Sequence, residues 1–152
     1  MAALVRESPP LDVNSAYAYQ LVCTHFADTS VVAEDDGRLV GMVSAYLVPA
    51  RHDTVFVWQV AVAATARGHG LAGRMLHELV ARPACAHVCF LETTITPSNA
   101  PSWQLFRSLA RKYRTDLHTV DTFRGVEVGG ADHEDEQLLR IGPLAIPTQG
   151  GS

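Results

Sequence analysis

The sequence predicts an α/β protein, a mixed sheet with helices against its faces. Three observations predict it. Thr54–Val62 is rich in Val and Phe and free of Gly and Pro, which reads as a buried strand. It leads through Arg67-Gly68-His69-Gly70 into Leu71–Ala81, where Leu71, Met75, Leu76 and Leu79 fall on one helical face. A second strand-then-helix unit follows: His87–Thr94 is apolar, Thr96-Pro97-Ser98-Asn99 breaks it, and a helix runs from Asn99 to about Lys112.

The remaining elements fit around these two units. Met1–Pro10 contains Ser8-Pro9-Pro10 and reads as a short strand at most, then an extended lead-in. Asp12, Asn14 or Ser15 can cap a helix running from Ala16 to about Phe26. Val31–Glu34 and Leu39–Val48 are strands around Asp35-Asp36-Gly37, and Asp-Gly between apolar runs is a strong hairpin signal. Arg82-Pro83 stops the helix before it. The helix from Asn99 turns Trp103, Phe106 and Leu109 or Ala110 inward. Thr115–Phe123 is a strand, Arg124–Asp135 a glycine-bearing loop, and Gln137–Ile141 a last short strand. The expected organisation is a single domain over residues 1–142 and a disordered tail over 143–152.

Composition excludes several classes. A length of 152 residues suits one domain with a substantial core, and a 47% apolar and 18% charged composition is ordinary for a globular chain. A net charge of −4 argues against non-specific nucleic-acid binding and suits a cationic small substrate. Cys23, Cys85 and Cys89 are odd in number and form no C-x-x-C, which argues for a reducing cytoplasm. There is no signal-peptide pattern and no apolar run long enough to span a membrane. One His among carboxylates in His133-Glu-Asp-Glu136 is a poor zinc pattern, so no metal is expected.

The glycine-bearing turn carries the chemistry. The first N–H groups of a helix lack partners, and its N-terminal end is positive. Gly68 and Gly70 have no Cβ and Ala72 is small, so an anion such as a diphosphate can approach the backbone. Arg67 adds a planar cation. The spacing is neither that of a dinucleotide fingerprint nor that of a Walker A loop. These six residues alone are equally consistent with a tight strand-to-helix turn.

Arg67-x-x-Gly70-x-Ala72, with Val62 five residues earlier, resembles the acetyl-CoA signature of the GNAT N-acetyltransferase superfamily. Asn99-x-x-Ser102-x-x-Leu105-Phe106 resembles that superfamily's second motif. Leu11-Asp-Val-Asn-Ser15, His25-Phe-Ala-Asp-Thr29, Phe56-Val-Trp-Gln-Val60, Leu91-Glu-Thr-Thr-Ile-Thr-Pro97 and His133-Glu-Asp-Glu136 extend the likeness over roughly residues 8–142. They resemble one branch, the enzymes that acetylate L-2,4-diaminobutyrate on the way to ectoine, a compatible solute. The resemblance implies the acyl-CoA N-acyltransferase fold, its mixed sheet splayed at the cofactor cleft with helices on both faces. It also implies acetyl-CoA as co-substrate and a homodimer.

Acyl transfer from a thioester to an amine needs the co-substrate held, the amine neutral and the oxyanion met by a donor. The resemblance implies that Val60, Ala61 and Val62 pair with the pantetheine arm. The backbone of Arg67, Gly68, His69, Gly70, Leu71 and Ala72 would hold the diphosphate, with Asn99 and Phe106 completing the cofactor set. The side chains of His69 and His87 read as structural. Many members carry Tyr at the position of Phe106, and Phe106 cannot donate a proton. That leaves the hydroxyl of Tyr17 as donor, or a thiolate leaving unassisted. For the substrate the resemblance points to Asp12, Tyr17, Trp58, His133 and Glu136, with Tyr17 and Glu136 as the catalytic pair. Asp12 and Glu136 suit ammonium groups, Trp58 a cation over its face, and His133 a proton relay near neutral pH. Each also has an ordinary reading: a helix cap for Asp12, core for Trp58, amphipathic packing for Tyr17, a solvated acidic run for His133–Glu136. Two rival functions stand beside this one, a GNAT enzyme acting on another small amine and a non-catalytic acyl-CoA-binding protein.

Overall fold

The computed structural model describes residues 1–9, 11, 13–124 and 134–144. The tail beyond 144, and with it most of the segment read as disordered, lies outside the described residues, as do Asp12 and His133.

The chain opens with a helix, α1 (Ala2–Arg6), where the sequence reading allowed a short strand at most. Tertiary packing decides this: Leu4 and Val5 are buried with Tyr19, Met42 and Ala61, and five residues carry too little intrinsic preference to resist. Helix α2 (Ala16–His25) is capped by Ser15, whose Oγ accepts from the Ala18 N–H, which decides among the three candidate caps. Strands β1 (Val31–Asp35) and β2 (Arg38–Val48) meet at a two-residue turn, with Asp36 at φ 47° and Gly37 at φ 74°. Positive φ at both positions matches the twist of a hairpin. Strand β3 (Arg51–Val62) starts three residues earlier than its composition suggested, since only Pro49 and Ala50 separate it from β2. Helix α3 (Leu71–Ala81), β4 (Phe90–Ile95), α4 (Ala100–Lys112), β5 (Asp116–Phe123) and β6 (Glu136–Gly142) follow.

The strands form one sheet in the order β1-β2-β3-β4-β6-β5. Only β3 and β4 run parallel; the other neighbours are antiparallel. Helices α3 and α4 cover one face, over a core that includes Val43, Val55, Val57, Leu76, Leu79, Leu91, Phe106, Leu139 and Ile141. Residues of α1 and α2 cover part of the other face at Met42 and Ala61. The expectation of a mixed sheet with helices on both faces holds.

Two irregularities shape β3. First, its pairing with β4 covers only Thr54–Val57 against Phe90–Thr93. Beyond that point β3 stays with β2 as far as Val62, while β4 stays with β6 as far as Ile95. The sheet therefore divides, and the Thr93 hydroxyl donates to the Val57 carbonyl (3.0 Å) where it does so. Second, Ser44 pairs with Gln59 and Ala45 with Val57, so Trp58 is an extra residue, a β-bulge. The buried Ser44 Oγ accepts from the Gln59 N–H (3.2 Å) and holds the bulge in place.

On the closed side of the split a carboxylate is buried. Glu92 is 1% exposed. Arg51 grips both of its oxygens (2.6 and 2.8 Å), and Arg140 reaches the same Oε1 (2.6 and 2.8 Å). Burial pushes the Glu92 carboxyl up. The hydrogen bonds from Arg51 and Arg140, with their charges, outweigh burial and hold it below the usual carboxylate range.

Candidate active site

The divided sheet opens a cleft of about 390 Å3. Its floor is the end of β3, Val60–Val62, and one wall is the turn from Ala66 to Gly73. The opposite wall is the start of α4, at Asn99, Pro101, Ser102 and Leu105. Ser8, Pro9 and Leu11, between α1 and α2, complete it.

The turn is built for an anion. Gly68 (φ 80°) and Gly70 (φ 70°) adopt left-handed backbone that other residues resist. Gly70 is the N-cap of α3 and has no side chain to bond the helix amides. The ladder of α3 begins with Arg74 N–H to Gly70 O (3.1 Å), so the amides of Leu71, Ala72 and Gly73 are not used by it. Two arginines brace the turn. Arg67 Nε donates to the Val62 carbonyl (3.0 Å), tying the loop to the strand end. Arg74 Nη1 donates to the His69 carbonyl (2.5 Å). On the far wall, Asn99 caps α4 by accepting from the Ser102 N–H (3.2 Å), while also lining the cleft.

The structure brings most of the expected cofactor set together. Val60, Ala61, Val62, Arg67, Gly68, Gly70, Leu71, Ala72 and Asn99 all line the cleft. His69 is exposed in the same turn without lining it. Phe106 lies apart from them. It is 3% exposed, sits in the core under the sheet and does not line the cleft. On a helix, Ser102 and Leu105 lie one turn from each other on the cleft side, which leaves Phe106 to point with Leu109 and Ala110 into the core.

Of the residues assigned to the substrate, Tyr17, Trp58 and Glu136 do not line this cleft, and Asp12 and His133 lie outside the described residues. Tyr17 is 67% exposed on α2, so amphipathic packing does not describe it. Trp58 is 41% exposed, turned out by the bulge, so the core reading fails for it as well. Glu136 is half-buried at the start of β6, paired across the sheet with Phe123. The acidic run beside it is not simply solvated: the Glu134 carboxylate accepts from the N–H (3.1 Å) and the hydroxyl of Ser98. That contact ties the start of β6 to the turn before α4. Residues missed from sequence are Ser8, Pro9, Leu11, Ala66, Gly73, Pro101, Ser102 and Leu105. Gly73 carried a signal, since it holds the amide following Ala72 in the same first helical turn. Ser8 carried none, because nothing in its neighbourhood tells which element it will face.

A sheet split beside a glycine-bearing helix start invites comparison with known proteins. The Acetyltransferase (GNAT) family pattern matches residues 2–110. The L-2,4-diaminobutyric acid acetyltransferase of Bordetella parapertussis is 52% identical over 145 residues, 95% of this chain and 78% of that protein. The enzyme of the same name from Halomonas elongata is 50% identical over 142 residues, 93% of this chain and 73% of that one. The chain belongs to the GNAT acetyltransferases. A solved structure of diaminobutyrate acetyltransferase from Paenibacillus lautus, in complex with its substrate L-2,4-diaminobutyric acid and coenzyme A, is 42% identical. It superposes with a TM-score of 0.87 over 93% of this chain and 86% of that one. The NatC complex bound to Gag peptide and CoA, at 15% identity and a TM-score of 0.73, shares the GNAT fold. Among the described residues no group of His, Cys, Asp and Glu is arranged for a metal, and no helix is long and apolar enough to cross a membrane.

Proposed function

We propose that this GNAT chain transfers acetyl from acetyl-CoA to the 4-amino group of L-2,4-diaminobutyrate, giving N4-acetyl-L-2,4-diaminobutyrate and coenzyme A. The observation that carries the reading is the superposition on the Paenibacillus lautus enzyme, whose structure holds both that substrate and coenzyme A. The cleft supports it independently. The Leu71, Ala72 and Gly73 amides suit a diphosphate. The edge of β3 that β4 leaves at Val60–Val62, where Arg67 takes the Val62 carbonyl and no second strand pairs, suits an extended arm that carries amides of its own. A backbone N–H there would meet the oxyanion. An alkyl ammonium has a pKa of about 10, so the site must take up a proton before the amine can attack.

In this reading Trp58 and Tyr17 face the amine, with Glu136 and, from the segments not described, Asp12 and His133. The reading also takes the enzyme to work as a homodimer. Residues 1–142 act as one acetyltransferase domain, working in the cytoplasm and contributing a compatible solute for osmoprotection. A thiol-release assay with a panel of amines tests the function. Release should be fastest with L-2,4-diaminobutyrate. Equal rates with polyamines or simple monoamines would move the enzyme to another substrate. Binding of coenzyme A without release from acetyl-CoA under any amine would make it a binding protein.

A further inference from the structure

Ser8 lies in the short segment between α1 and α2 and lines the cleft with Ala61 and Leu11. It is 5% exposed. Its backbone is fully engaged: its N–H donates to Val5 O (2.9 Å), and its carbonyl accepts from the Leu11 N–H (3.2 Å). Its hydroxyl is not. Among the described residues Ser8 Oγ is a buried polar atom with no hydrogen-bond partner. Buried hydroxyls in native proteins nearly always have one, so each exception needs an account. The cleft lining at Val60, Ala61, Leu71 and Leu105 is apolar, and of its polar side chains Arg67 is engaged with the Val62 carbonyl and Asn99 with the Ser102 N–H. The buried Arg82 Nε, also without a partner, differs: it stands at the far end of α3, outside the cleft, and its guanidinium is anchored on the Ala27 carbonyl (3.1 Å).

We infer that the Ser8 hydroxyl is a binding group for the acyl-CoA arm, placed to hydrogen-bond an amide of that arm where it runs along the end of β3. A hydroxyl both donates and accepts, so it can serve either the N–H or the carbonyl of such an amide. The inference rests on the reading of this cleft as the acyl-CoA site. It assigns a contact to the α1–α2 segment, to which the cofactor set read from sequence gave no residue.

The test is calorimetric titration of coenzyme A into wild type, Ser8→Ala and Ser8→Cys, with thermal melts of each protein alone. Ser8→Ala should bind coenzyme A about 3- to 10-fold more weakly, the range of one neutral hydrogen bond. Its melting temperature without ligand should be equal to wild type or higher, because a buried hydroxyl without a partner is removed. Ser8→Cys keeps the shape with a weaker donor and should fall between the two, which keeps the test decisive if Ser8→Ala folds poorly. Wild-type affinity in both variants overturns the inference, and so does a sharply lower melting temperature in both, which would mean a structural partner. If wild type itself does not bind coenzyme A, the reading of the cleft falls and this inference falls with it.

Discussion

Strand β3 is one strand with two different neighbours. From Val55 to Val57 it is paired on both edges, by β2 and by β4, and its Val residues are buried. From Val60 to Val62 its only strand neighbour is β2, and its other edge faces the cleft, with the Val62 carbonyl taken by Arg67. Both stretches are Val-rich, so composition does not separate them. The difference comes from β4, which turns away with β6 after Thr93. Backbone groups that would have completed a sheet are left for a ligand, since an unpaired backbone group needs a partner of some kind. A binding edge can thus be made by withdrawing a neighbour, with no special residue on the strand itself.

The closed half should be the costlier one to disturb. The Arg51–Glu92–Arg140 cluster links β3, β4 and β6 just below the split. Glu92→Gln leaves two guanidinium groups without their carboxylate, and breaking a buried pair costs about 3–5 kcal/mol. Arg51 and Arg140 have side chains 40% and 33% exposed and can turn to water, so the lower end is expected, about 3 kcal/mol by urea denaturation. The folded carboxyl is held below its unfolded value, so its contribution is present above pH about 4.3 and lost as pH falls through the folded pKa. Glu92→Gln should therefore flatten the acid side of the stability profile. A loss under about 1 kcal/mol would mean the closed half does not depend on this cluster.

In the proposed function the two ligands fall to two places, the β6 side for the amine and the cleft wall at α3 for coenzyme A. Glu136 belongs to the β6 side, away from the amides of α3. Glu136→Gln keeps the shape and removes the charge. The KM for diaminobutyrate should rise by about 10-fold or more, as expected for losing a charge-assisted bond of about 1.5–3 kcal/mol. Coenzyme A affinity should hold, and discrimination against a monoamine of similar length should shrink. A loss of coenzyme A binding instead would put both ligands on one wall.

Gly70 belongs to the other wall. A Cβ at this position meets nothing closer than 3.9 Å, so crowding within the empty protein is not the issue. The φ of 70° is, and so is the space in front of the helix amides. Gly70→Val should cost about 1–2 kcal/mol in stability from the left-handed backbone, and weaken coenzyme A by about 10-fold. Normal titration in a folded Gly70→Val protein would count against the α3 amides as the anion site.

How much of this was legible in the sequence follows the same division. The turn from Arg67 to Ala72 was readable because left-handed backbone and close approach both demand glycine, and glycine is visible in a sequence. Asp36-Gly37 was readable for the same reason. Phe106 shows two readings in competition: a motif placed it on the cofactor, while helical periodicity turned it inward, and the periodicity prevailed. The bulge at Trp58 had no signature, since one inserted residue changes neither composition nor apolar content. The place where β3 and β4 part also had none, because it depends on which strand β4 follows. Helix α1 was missed because Ser8-Pro9-Pro10 dominates a segment whose helix is held by contacts with Met42 and Ala61, far along the chain.

The smallest expected effect lies at the boundary between the two halves. Thr93 is 4% exposed, and its hydroxyl bonds the Val57 carbonyl at the last paired position. Thr93→Val preserves the β-branched shape and strand preference, so packing should survive. What it removes is one hydrogen bond, worth about 1 kcal/mol. If that bond only supports the sheet, denaturation will show the loss and coenzyme A affinity will stay the same. If it fixes where the strands separate, the edge from Val60 to Val62 loses its defined position, and affinity should also fall, by about 2- to 5-fold. The second result is expected, because the Val57 carbonyl is the last acceptor on β3 that β4 reaches before the cleft begins. A Thr93→Val protein with lower stability and full affinity would place the boundary elsewhere, at the bulge held by Ser44.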